Sequence, residues 1–152
     1  METSYSPGFG PSPVLLYVED DPSTARLFSL AARDANCSSR IFVAKDGDAA
    51  LAFLNRAAGY RDAPCPDLVV LDVNLPSRSG FEVFECMQHM EHTAEIPVIL
   101  FSSSESDSDR QKAEQMGALG FVHKPNDFDG FWSAVHYICG KAATKKAISS
   151  VQ

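Results

Sequence analysis

Five short apolar runs punctuate this sequence, and each stops abruptly at polar or acidic residues: Val14–Val18, Ile41–Ala44, Leu68–Leu71, Val98–Phe101 and Gly120–Val122. Runs of three to five apolar residues without strict alternation are expected of strands covered on both faces. Between them lie segments with helical spacing. Asp21-Pro22 reads as an N-cap followed by proline at the first helical position, with Leu27, Leu30 and Ala31 behind it. Gly47 leads into Ala50, Leu51, Phe53 and Leu54, ending near Gly59; the loop Pro76–Gly80 precedes Val83, Phe84, Met87 and Met90. The polar stretch Ser102–Asp109 opens a helix that ends near Gly117, and the last helix carries Phe128, Phe131, Val135 and Ile138 on one stripe. Strand and helix alternating with short connections predict a parallel sheet with helices on both faces. Right-handed crossovers leave few arrangements, and we expect a flavodoxin-like, doubly wound α/β fold, a (βα)5 unit with strand order 2-1-3-4-5.

At 152 residues the chain suits one domain. Residues 1–13, rich in Ser, Gly and Pro, are expected to form a flexible tail. The domain proper is placed at 14–140, and the polar 141–152 as a tail or a helix extension. A net charge of −7 argues against non-specific nucleic-acid binding, which needs a basic face. No apolar run approaches the ~20 residues of a membrane span, and no leader pattern opens the chain. A cytoplasmic protein is expected. Cys37, Cys65, Cys86 and Cys139 are scattered and form no CxxC pair, so they read as small apolar residues or incidental thiols. His89 and His92 fit a metal pair in spacing but lack a third ligand, and His123 reads as structural.

Ligands of open parallel sheets sit beyond the carboxyl ends of the strands. There this chain places Glu19, Asp20 and Asp21 after the first run, and Asp72 with Asn74 after the third. Ser102, Ser103 and Ser104 follow the fourth run, and His123, Lys124 and Pro125 the fifth. Clustered carboxylates repel one another: two unit charges ~5 Å apart cost about 3 kcal/mol at an effective dielectric of ~20. Lys124 supplies one compensating charge, and a hard divalent cation such as Mg²⁺ suits the rest. Three carboxylates, one ammonium and one dication sum to neutrality, so such a cup can receive a phosphoryl group, with a hydroxyl and a lysine to hold its oxygens.

The acidic stretch Val18-Glu19-Asp20-Asp21-Pro22, Leu71-Asp72-Val73-Asn74-Leu75-Pro76, Phe101-Ser102-Ser103 and Gly120-Phe121-Val122-His123-Lys124-Pro125 appear in this order. Together they resemble the CheY-like receiver domain of two-component response regulators, over roughly Val14–Cys139. The resemblance implies that Asp72 is the phosphoacceptor, taking a phosphoryl group from phosphohistidine. It implies Mg²⁺ on Asp20, on Asp72 and on the backbone carbonyl of Asn74, with Glu19 reached through water or in the outer shell. Ser102 and Lys124 would clasp the phosphoryl oxygens, and Ser102 and Phe121 would form the switch, Phe121 rotating into space that Ser102 vacates. Phe121 stands where a tyrosine is common, so its buried state is expected to be favoured. Lys124-Pro125 is implied to be a cis bond. Ser103 replaces a smaller alanine, which narrows access, and Asn74 occupies a position that tunes dephosphorylation.

Three functions are compatible with these residues. The first is a stand-alone response regulator without a DNA-binding output, served by a sensor histidine kinase or phosphotransfer protein and acting on a downstream protein. A phytochrome-type kinase is one candidate, because the resemblance extends to small receivers carrying a segment like Lys124-Pro125-Asn126-Asp127-Phe128. A homodimer through the last strand and helix stays open, and Trp132 is a candidate docking residue. The second is a haloacid-dehalogenase-type phosphatase, which needs an acid where Asn74 stands. The third is a non-phosphorylated interaction module that retains the shape only.

Overall fold

The computed structural model describes residues 12–57 and 59–151. The strands are β1 (Val14–Val18), β2 (Arg40–Ala44), β3 (Leu68–Asp72), β4 (Val98–Ser102) and β5 (Gly120–His123). The helices are α1 (Pro22–Asp34), α2 (Gly47–Asn55), α3 (Gly80–Gln88), α4 (Asp107–Met116) and α5 (Phe128–Val151). One parallel sheet runs β2-β1-β3-β4-β5, the expected order. Every residue of β1, β3 and β4 is buried, which explains their unbroken apolar sequences. The edge strands β2 and β5 are only partly covered. The expected tail falls largely on residues 1–11, outside the described residues.

The sheet separates two cores. On one face Leu16, Val18, Val69, Leu71 and Leu100 meet Ala50, Phe53, Val83, Phe84 and Met87 of α2 and α3, with Ala113 of α4. On the other, Leu15, Tyr17, Leu68, Val70, Ile99 and Phe101 meet Phe28, Ala31 and Ala32 of α1 and Phe131, Val135, Ile138 and Ala142 of α5. Local signals start the helices. Asp21 caps α1 ahead of Pro22, Asp46 caps α2, Ser79 and Glu82 form a capping box on α3, and Ser106 caps α4. Gly117 ends α4 in the left-handed region, at φ 87°.

Three expectations are corrected. Phe128 is 52% exposed rather than core, because it opens α5 one turn before the helix reaches the sheet; Phe131 is the first of the stripe to be buried. Cys37 and Cys139 form a disulfide with Cα atoms 5.8 Å apart, while Cys65 and Cys86 are free. A separation of 102 residues gives no pairing signal until α1 is known to lie beside α5. The Lys124–Pro125 bond is trans, as are all peptide bonds among the described residues. Trans is the lower-energy isomer, and the Lys124 N–H donates to the Ser102 carbonyl at 2.6 Å, which carries the β4–β5 ladder up to the proline.

Candidate functional site

The carboxyl ends of β1, β3 and β5 bring one acidic cup together. Glu19 and Asp72 are buried, 4% and 6% exposed, and Asp20 is exposed at the rim. One carboxylate oxygen from each of the three lies within 4.8 Å of the others. Lys124 Nζ enters from the end of β5 and bonds Glu19 Oε1 at 2.7 Å and Asp72 Oδ2 at 3.3 Å. The lysine thus joins groups 105 and 52 residues away in sequence.

The backbone shapes the cup as much as the side chains do. Gly80 opens α3 against the end of β3, where an added Cβ would lie 2.3 Å from the Asp72 carbonyl oxygen. Only glycine lets the helix start so close to the strand carrying Asp72. The Asn74 N–H donates to Asp72 Oδ1 at 3.0 Å, turning the chain back over the carboxylate, and the Asn74 side chain is exposed.

Asp72 titrates above the ordinary carboxylate range. Burial drives it up and the Glu19 charge adds to this, while Lys124 and the Asn74 N–H offset part of the rise. Glu19 moves the other way. Burial would raise it, but the hydrogen bond and charge of Lys124, the Tyr17 hydroxyl and the Asp21 N–H together bring it below its usual value.

Around this cup the remaining predicted residues divide. Ser102 is fully buried at the end of β4, and its hydroxyl accepts from the Ser104 N–H at 3.0 Å. Ser103 is exposed. Phe121 is half-buried rather than buried, because an edge strand leaves its outer side open. The Arg110 guanidinium covers that side, 5.0 Å from the ring centroid. Asp21 is exposed and caps α1 through Ser23 and Thr24, not joining the cup. Trp132 is half-buried and tied to Asp34 through its indole N–H, 2.8 Å. His89 and His92 do not converge on a ligand: His89 meets the Glu85 carbonyl and His92 meets Asn55. His123 keeps Nδ1 buried without a partner, with Nε2 3.8 Å from Glu105.

One residue of the site escaped sequence reasoning. Tyr17 is fully buried in β1, and its hydroxyl donates to Glu19 Oε1 at 2.8 Å. The signal was present: a tyrosine in an otherwise aliphatic strand, two residues before the acid, shares its side of the chain.

An all-oxygen donor set, partly buried and open on one side, fits a hard divalent cation. The same chain matches a known family and known structures. The response regulator receiver domain family matches residues 15–136. Response regulator Rcp1 of Synechocystis sp. is 32% identical over 99 residues, covering 65% of this chain and 67% of that protein. The Mn²⁺-bound form of Rcp1 superposes with a TM-score of 0.76 at 27% identity, over 84% of this chain and 91% of that one. The phosphorylated cyanobacterial phytochrome response regulator RcpA superposes with a TM-score of 0.78 at 26% identity, over 85% and 91% of the two chains.

Proposed function

The chain belongs to the response regulator receiver family, and from that premise we propose that Asp72 is its phosphoacceptor, charged by a sensor histidine kinase or a phosphotransfer protein. The observation that carries this reading is the Lys124 ammonium bridging Glu19 and Asp72 at the mouth of an acidic cup. In the transfer an Asp72 carboxylate oxygen attacks phosphorus in line. The P–O bond forms as the P–N bond to the kinase imidazole breaks, and the imidazole takes up a proton on leaving. Burial that raises Asp72 also makes its carboxylate more basic and a better nucleophile, while Lys124 and the Asn74 N–H hold it ionised.

Mg²⁺ held by Asp20, Asp72 and the Asn74 carbonyl, with Glu19 in the outer shell, would supply positive charge to the incoming phosphoryl oxygens. Lys124 offers the same oxygens its ammonium. The Ser102 hydroxyl leaves the Ser104 N–H to meet them, and Phe121 follows into the space behind β4. The differential affinity of the two conformations for the phosphoryl group sets how far this switch is thrown.

The likeness to RcpA supports a phytochrome-type kinase as donor, and a cytoplasmic setting follows from such a partner. Downstream signalling then runs through a protein target, with a homodimer through β5 and α5 as one form it takes. The phosphatase alternative is not favoured, because Asn74 stands where that chemistry needs an acid. The test is labelling by acetyl phosphate with Mg²⁺, read on a phosphate-affinity gel. Wild type shifts and Asp72→Asn does not; equal shifts reject the acceptor assignment.

A further inference from the structure

We propose that the Tyr17 hydroxyl is a positioning group for metal binding, pinning the Glu19 carboxylate so that the cup is set before a cation arrives. This rests on the divalent-cation part of the reading above, not on phosphoryl transfer. A phenylalanine at position 17 would fill the same core. The ring stacks on Phe28 with centroids 4.2 Å apart and tilts against Phe101 at 6.1 Å. What the tyrosine adds is one buried O–H, and that O–H donates to Glu19 Oε1.

Glu19 needs such a pin more than an aspartate would. Its extra methylene adds a torsion, and the terminal torsion of a glutamate is broad. Here the carboxylate is held on three sides. Oε1 accepts from Tyr17 at 2.8 Å and from Lys124 at 2.7 Å, and Oε2 accepts from the Asp21 N–H at 3.1 Å. A carboxylate has about four lone-pair sites, so these bonds leave one, on Oε2, for the cup it shares with Asp20 and Asp72. Without the hydroxyl, Oε1 is held by a flexible lysine alone, and the carboxylate is free to turn with it.

The experiment is calorimetric titration of the full chain with Mn²⁺ alone, and then with Mg²⁺ alone. Tyr17→Phe is expected to weaken binding about three- to tenfold, the range of one net hydrogen bond. In labelling by acetyl phosphate it should raise the Mg²⁺ concentration needed for half-maximal rate by a similar factor, with the rate at saturating Mg²⁺ unchanged. Phe28→Leu disturbs the same aromatic stack without touching the hydroxyl; it should lower the melting temperature and leave the Mn²⁺ affinity as in wild type. In a Glu19→Ala background, Tyr17→Phe should have no further effect on affinity.

Unchanged or tighter Mn²⁺ binding by Tyr17→Phe overturns the proposal. So does a loss of affinity in Phe28→Leu equal to that in Tyr17→Phe, or a full loss that persists in the Glu19→Ala background. A wild-type chain that binds no Mn²⁺ overturns both this inference and the metal part of the functional reading. Labelling of Asp72→Asn like wild type removes the acceptor assignment and leaves the Tyr17 result standing.

Discussion

Helices α4 and α5 approach β5 from opposite faces of the sheet, and they are anchored very differently. Among the described residues α4 buries only Ala113, and its first turn is acidic, with Asp107 and Asp109. On the other face α5 buries Phe131, Val135, Ile138, Cys139 and Ala142. There the rings of Tyr17, Phe28, Phe101 and Phe131 form one cluster, and Cys139 is linked to Cys37 beyond α1. Aromatic side chains bury large areas in fixed geometry, whereas one alanine methyl anchors little. The difference predicts that α4 opens locally more readily than α5. The switch proposed for Ser102 and Phe121 would lead onto the lightly held α4 side, where Phe121 packs against the cluster that holds Ala113.

The largest effects should therefore fall on the α1–α5 side. Phe28→Ala is expected to cost about 3–5 kcal/mol in urea denaturation, from lost transfer energy and the cavity left behind. Ala113→Gly should cost about 1 kcal/mol, mostly helix propensity. Hydrogen exchange sharpens the contrast: amides of α4 should exchange by local opening well before those of α1 and α5. Equal protection of α4 and α5 would remove the asymmetry.

Next in size is the disulfide. Reduction, or Cys139→Ser, is expected to destabilise the protein by about 2–4 kcal/mol, because the link closes a 102-residue separation in the unfolded chain. Alkylation before and after reduction should distinguish the thiols of Cys65 and Cys86 from the linked pair. Looser protection should appear in α5 and the end of α1 rather than in α4. A melting temperature indifferent to reductant would show that the aromatic cluster alone carries that face.

How much of this was written in the sequence follows the same divide between local and distant information. Strand runs and caps are local, so β1, β3, β4 and the cap at Asp21 could be read directly, and handedness left few strand orders, among them the one observed. The cup was legible because each of its members ends an apolar run, which places Glu19, Asp20, Asp72 and Lys124 on one rim whatever their distance along the chain. What stayed hidden depends on pairs of elements. The Cys37–Cys139 link needs α1 beside α5, and the half-burial of Phe121 needs Arg110 lying across an edge strand. The exposure of Phe128 needs the point where α5 meets the sheet. Tyr17 lies between the two cases: it reads as core from its strand, and only its hydroxyl bond to Glu19 reveals a second role.

The smallest effect expected of the charged cup also has the least intuitive sign. Burial, with help from the Glu19 charge, holds Asp72 above the ordinary carboxylate range in the folded protein. The folded state therefore takes up that proton more readily than the unfolded chain. The ionised side chain costs stability once the pH has risen from the unfolded to the folded pKa. Asp72→Asn, in buffer with a chelator, should be more stable than wild type at pH 7. The gain should vanish as the pH falls through the carboxylate range, where Asp72 is itself neutral. Glu19, held below its usual value, contributes in the opposite sense: its stabilisation is present above the unfolded pKa and lost as the pH falls through the folded one. Removing the Asp72 charge also relieves its repulsion of Glu19, which adds to the gain. Added Mg²⁺ should reverse the order by favouring the intact carboxylate set. A less stable Asp72→Asn in chelator would mean that the 3.3 Å contact with Lys124 outweighs the burial of the charge.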